Sequence, residues 1–324
     1  MDDLQLNRDF IEDSYRKKYT SLVDTFCNEE ILEIAKKYDS KPDKGPAPAP
    51  FFPIIGSGYY DSEIKVAIYG METSYWYNLH KFINVFKDNN NSLDAVKAYT
   101  DGIEGDDNTY KNRFNNHHAL VWYKEHNYPF TFWKFAYSTL AGIYGFTEEG
   151  LLKEDNLHLL KSFIWGNVNS YEKFGASCSK KGVKKTDWKK IHDTASKLFN
   201  SAQLLLPYAR PQIMVVFYWK MSRKWLTGKK GNWSINEKKN ICWANFFEQH
   251  KELSEEQQKK LKHYIRCYYI DASGTFVLHT MHPNGMNPNF KYWKGNGMNQ
   301  DVWKAAINYA IQYIMKENNI SPSH

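Results

Sequence analysis

Apolar positions along the chain fall into two rhythms. From Phe10 to Tyr38 they recur at helical spacing, through Phe10, Tyr15, Tyr19, Leu22, Phe26, Ile31 and Ile34. The tract "DSKPDKGPAPAPFFP", Asp39 to Pro53, breaks that rhythm and reads as an extended linker. Four nearly continuous apolar runs follow: Lys65–Gly70, Ser162–Val168, Gln212–Trp219 and Thr275–His282. Such runs fit strands buried on both faces of a parallel sheet. Helical patterns separate them at Phe132–Tyr144, His158–Lys161, Trp188–Leu206 and Trp243–Tyr269, and a last one covers Val302–Lys316. The polar tract Asp88–Asp107 reads as an insertion or a mobile loop. Strands alternating with helices predict a three-layer α/β fold, with a central four-stranded parallel sheet flanked by helices. Residues 1–53 form an N-terminal helical segment and linker, either appended to the α/β domain of residues 54–324 or packed on it as a first layer.

Composition narrows the picture. The chain has 324 residues, of which 42% are hydrophobic and 16% aromatic, so a sizeable core is available. A net charge of +7 suits a polyanionic partner, and equally a lysine-rich solvated surface. Cys27, Cys178, Cys242 and Cys267 are scattered with no C-x-x-C pair, which argues against a zinc ribbon or an iron–sulfur cluster. No signal peptide opens the chain and no apolar run has the length of a membrane span, so a soluble cytoplasmic protein is expected.

In open α/β sheets ligands bind beyond the carboxyl ends of the strands. There this sequence places Glu72 after the first run, Asn167 within the second, Lys220, Arg223 and Lys224 after the third, and His282 closing the fourth. Each has a bland reading: a helix-start acid, a strand-end amide, a solvated basic surface and a packed histidine. Their recurrence at four strand ends points to a site.

The four segments, "YGMETSYW", "FIWGNVN", "VVFYWKMSRKW" and "HTMHPNGMN", resemble in order and strand context the motifs of the uracil-DNA glycosylase superfamily. The likeness runs roughly from Ile54 to Asn289. It implies a uracil-DNA glycosylase-like fold and a monofunctional glycosylase with DNA as its partner. No cofactor, metal, membrane or obligatory protein partner is implied. Glu72 matches the water-activating acid and His282 the donor to the departing base, while Asn167 matches the amide that reads an extruded pyrimidine. Pro283, Asn284, Gly285 and Met286 fall in the loop that the family lays on DNA, with Met286 a candidate wedge. The chemistry suits these roles, because N-glycosidic cleavage makes a cationic sugar and an anionic base.

The sequence departs from the family where its Gly-x-Asp-Pro-Tyr turn becomes Gly-Met-Glu-Thr-Ser, with Tyr75 and Trp76 following. The family's tyrosine excludes substituents at pyrimidine C5, and Ser74 leaves room there. A C5-modified pyrimidine is therefore expected, such as hydroxymethylated or glucosylated cytosine of phage DNA, in an anti-phage role. Excision of uracil in repair is one alternative, and a DNA-binding module that has lost the reaction is another. Tyr110, Phe114, His117, His118 and Trp122 either line an enlarged pocket or form an accessory cluster. The basic tracts Lys173–Lys190 and Lys220–Lys239, interleaved with Trp188, Trp225 and Trp233, suit a phosphate backbone or a solvated surface.

Overall fold

A computed structural model describes residues 8–39, 49–56, 58–70, 79–88, 131–168, 182–199, 201–218, 235–283 and 298–322. The fold divides into two compact units. The first contains α1 (Arg8–Phe26), α2 (Glu29–Asp39), α3 (Leu79–Asp88), α5 (Lys185–Leu198) and α6 (Ser201–Ala209). The second contains α4 (Thr131–Ile143), α7 (Ala244–Gln249), α8 (Glu255–Tyr264), α9 (Gln300–Glu317) and most of the sheet.

The single helix expected over Phe10–Tyr38 is two. Asn28 ends the first and starts the second, its Oδ1 accepting a hydrogen bond from the Ile31 amide at 3.1 Å. Around them the first unit builds a core of aromatic rings. Tyr19 and Phe26 from α1, Phe52, Phe82 from α3 and Phe199 after α5 are all buried. Phe52 meets Tyr19 at 4.4 Å and Phe199 at 5.5 Å between centroids, and Phe26 meets Phe82 at 5.9 Å. The first and third of these pairs meet edge to face, an arrangement worth about 0.5–1.5 kcal/mol beyond buried area. The end of the proline-rich tract is therefore core rather than spacer: Phe51 and Phe52 are fully buried. Asp187 clamps α2 to α5, accepting from Lys37 Nζ and, at 2.8 Å, from the Tyr38 hydroxyl. Burial pushes the Asp187 carboxyl up, but the Lys37 and Tyr38 bonds outweigh it and hold the group below the usual range.

The sheet has the order β1-β3-β2-β4-β7-β6-β5. Its strands are β1 (Ile54–Ile55, only two residues), β2 (Val66–Gly70), β3 (Phe163–Asn167), β4 (Ile213–Phe217), β5 (Ile235–Lys239), β6 (Arg266–Ile270) and β7 (Thr275–Thr280). The four runs expected as strands are β2, β3, β4 and β7, each buried along its whole length. β2, β4 and β7 pair in parallel. The expectation of a purely four-stranded parallel sheet is overturned on the other side of β7, where β6 and then β5 pair antiparallel and make the sheet mixed.

The cause lies in Trp243–Tyr269, expected as one helix. Ser254 restarts a helix there through a capping box with Gln257, and that helix stops at Ile265. Arg266–Ile270 then turns back against β7 through Asp271–Gly274, where Gly274 takes a φ of +66°. β5 falls in a lysine-rich tract with no apolar alternation, and its pairing runs through the backbone of β6. The helix expected over Trp188–Leu206 is likewise two, α5 and α6, interrupted at Phe199.

α9 packs on β7 and on α4. Gly142 of α4 faces Asn308 of α9 so closely that an added methyl would sit 2.7 Å from the amide. The entry to β2 is held by Lys65. Its ammonium donates to the carbonyls of Tyr59 (2.9 Å), Tyr60 and Ser62 (2.8 Å). Burial lowers its pKa, with Asp61 opposing the shift. No helix among the described residues is long and apolar enough to cross a membrane.

Candidate functional site

Because β2, β4 and β7 run in parallel and in register (Tyr69 beside Val216, Phe217 beside Thr280), their carboxyl ends share one edge. Tyr218 extends the pairing past β4, its amide donating to the Thr280 carbonyl at 3.0 Å. The chain leaves β7 there through Met281, His282 and Pro283, all buried. His282 thus stands two residues beyond the strand rather than within it, at the edge where the sheet would meet a ligand.

Burial lowers the His282 pKa from 6.5 to about 4. At neutral pH the ring is uncharged, with one N–H donor and one acceptor nitrogen. A neutral imidazole donates a hydrogen bond to a developing oxyanion without requiring a counter-ion in the buried site.

A second histidine, which the sequence reading did not single out, shares this edge. His279 is fully buried in β7, opposite Arg266 of β6 and beside Val216 of β4. Its ring lies 6.3 Å from that of Tyr218, nearly parallel at 24°. Burial and, after it, the positive charge of Arg266 together lower its pKa from 6.5 to about 4, against the opposing effect of a backbone hydrogen bond with Tyr218. The signal that could have found it was the doublet of histidines in "HTMH", but the partner Arg266 was hidden in a tract read as helix.

Asn167 closes β3 and is buried, with only 3% of its surface exposed. It belongs to the first unit, whereas His279, His282 and Arg266 belong to the second. Glu72, Ser74, Tyr75, Trp76, Lys220, Arg223, Lys224, Asn284, Gly285 and Met286 lie outside the described residues. So do Tyr110, Phe114, His117, His118, Trp122, Trp225 and Trp233.

The described end of the first basic tract is engaged within its own unit. Lys189 pairs with Asp193 at 2.8 Å and Lys190 pairs with Glu30. Trp188 is buried and stacks on His192 at 4.7 Å. Among the described residues no group of three or more His, Cys, Asp or Glu side chains is arranged to hold a metal ion.

No protein-family model matches the chain, and comparison with curated proteins and with solved structures likewise finds no match.

Proposed function

We propose that this protein is a DNA glycosylase that hydrolyses the N-glycosidic bond of an extruded C5-modified pyrimidine and leaves an abasic site. One observation carries the reading above all: a buried, uncharged His282 stands two residues beyond β7, at the edge where three parallel strands end. That is the position and protonation state the reaction asks of a donor to the departing base. The motif order described above supplies the remaining roles. Glu72 takes a proton from water as its oxygen bonds to C1′, and stabilises the cationic sugar beside it. The electron pair of the broken C–N bond leaves with the base, whose O2 receives a hydrogen bond from His282. The base is protonated from solvent on release, so one water is consumed for each base freed. Asn167 presents donor and acceptor to the pyrimidine edge. Ser74, in place of a bulky ring, admits hydroxymethyl or glucosyl groups at C5, as in modified cytosines of phage DNA.

Oligonucleotides carrying uracil, 5-hydroxymethylcytosine or its glucosylated form, incubated with the protein and then cleaved with alkali, test this directly. Strand scission is expected at the modified cytosines. Glu72→Gln and His282→Ala are each expected to slow it by about 10²–10³-fold. Scission at uracil alone would exclude the enlarged pocket, and scission at no base would leave a DNA-binding module.

A further inference from the structure

Both strands added by the antiparallel extension have an end at the same edge as His282. Arg266 opens β6 opposite His279 near the end of β7, and Lys239 closes β5 opposite Cys267. Between the chain leaving β5 and the end of α8 lies a cavity of about 390 Å³. Asn240, Ile241, Trp243, Phe247, Lys262 and Arg266 are among the residues that line it.

Two features of its wall define a ligand. First, it carries two cations and no carboxylate. Among the described residues neither Lys262 nor Arg266 is in an ion pair, whereas Lys259 and Lys260 on the same helix pair with Glu255 and Glu256. The Arg266 guanidinium is oriented by His263, its Nε donating to the carbonyl at 2.7 Å and its Nη2 lying 3.0 Å from Nδ1. A planar fork anchored on one side still offers the N–H groups of Nη1 to an anion. Second, apart from Asn240 the other side chains of the wall are apolar or aromatic. Trp243 and Phe247 stack at 5.8 Å, and the Lys262 ammonium lies 5.1 Å from the Phe247 ring centroid. The volume admits more than an isolated inorganic anion and falls in the range of ligand sites.

We propose that this cavity is a phosphate subsite, in which Lys262 and Arg266 hold a backbone phosphate of DNA while the apolar wall covers the adjoining sugar. The assignment rests on the glycosylase reading for its choice of DNA as the source of the phosphate. The shared edge is the supporting geometry: a strand presenting its base beside His282 also brings a backbone phosphate along the ends of β7 and β6.

Salt dependence of binding to unmodified DNA, single-stranded and duplex, tests it. Each lost phosphate contact reduces the slope of log K against log salt by about 0.7 for single strands and about 0.9 for duplex. Lys262→Gln and Arg266→Gln are expected to lower the slope by about that amount each. Lys259→Gln, outside the cavity on the same helix, is expected to leave it unchanged. Lys262 is exposed, so its variant keeps the wild-type thermal midpoint and reports on binding even if the arginine variant loses structure. If the protein releases bases but the two cavity variants keep the wild-type slope, the subsite is wrong and the glycosylase reading stands. An equal fall for Lys259→Gln also overturns it, since the effect is then one of overall charge. Calorimetric titration with inorganic phosphate and with dCMP separates the sources. Binding of either that depends on Lys262, with an unchanged DNA slope, assigns the cavity to a free anion and overturns the proposal. A protein that neither binds DNA nor releases a base overturns both readings.

Discussion

His279 and His282 are buried, uncharged side chains near the carboxyl end of β7, and their burial has a measurable consequence. Both are lowered to about 4 in the folded chain, against 6.5 for a solvated imidazole. Between those values the unfolded chain binds more protons than the folded one, so folding stability rises with pH across the window and is fully present above about pH 6.5. It is lost as pH falls towards 4, and the full loss is on the order of 3 kcal/mol for each histidine. Urea midpoints measured at intervals between pH 7 and pH 4 check this. His279→Leu is expected to flatten the wild-type decline by roughly half, and an unchanged decline would mean that the ring is not buried in its neutral form.

At the scale of elements, the contact of α4 with α9 depends on a residue without a side chain. A methyl on Gly142 would meet the Asn308 side chain, whose Nδ2 lies 3.3 Å from the Ser138 carbonyl it donates to. The amide cannot withdraw without giving up that bond. Gly142→Ala is expected to destabilise by about 1–3 kcal/mol despite the better helix propensity of alanine. Chemical denaturation should show Asn308→Ala in the same chain recovering most of that loss. A Gly142→Ala protein as stable as wild type would show that the two helices are free to separate. The same scale shows why some boundaries were legible and others not. The ends of β2, β3, β4 and β7 fall within two residues of the apolar runs, because a strand covered on both faces must be apolar along its length whatever its neighbours. The break at Asn28 and the restart at Ser254 rest on single capping residues inside otherwise periodic tracts, which periodicity does not register.

For the molecule as a whole, the N-terminal helices bear on stability. Tyr19 and Phe26 cover Phe52 and Phe199, and Phe26 also covers Phe82, so the first 39 residues supply part of a core. A chain shortened to begin at Pro50 leaves those three rings uncovered. Burying a ring of this size contributes about 1.5–3 kcal/mol. The shortened chain is expected to bind the dye ANS and to melt at lower temperature than the full chain. An unchanged melting curve without dye binding would make the segment an appendage. The candidate site was partly legible at this scale. The nearness of His282 to the end of a buried strand followed from the sequence, as did the common edge of three strands, although the strand ends two residues before it. The roles of Arg266 and Lys262 did not, because both were read as positions on one long helix.

The sequence by itself determined the strands buried on both faces and most of the helical segments, since burial leaves an apolar imprint on the residues themselves. It also determined that a histidine and a proline stand where the last parallel run ends. Only the tertiary structure decided that the sheet continues beyond β7. β5 and β6 join through backbone hydrogen bonds between segments about thirty residues apart, and amide and carbonyl groups are the same in every residue. That pairing sets Arg266 opposite His279 and opens the cationic cavity beside it, an adjacency no local pattern encodes.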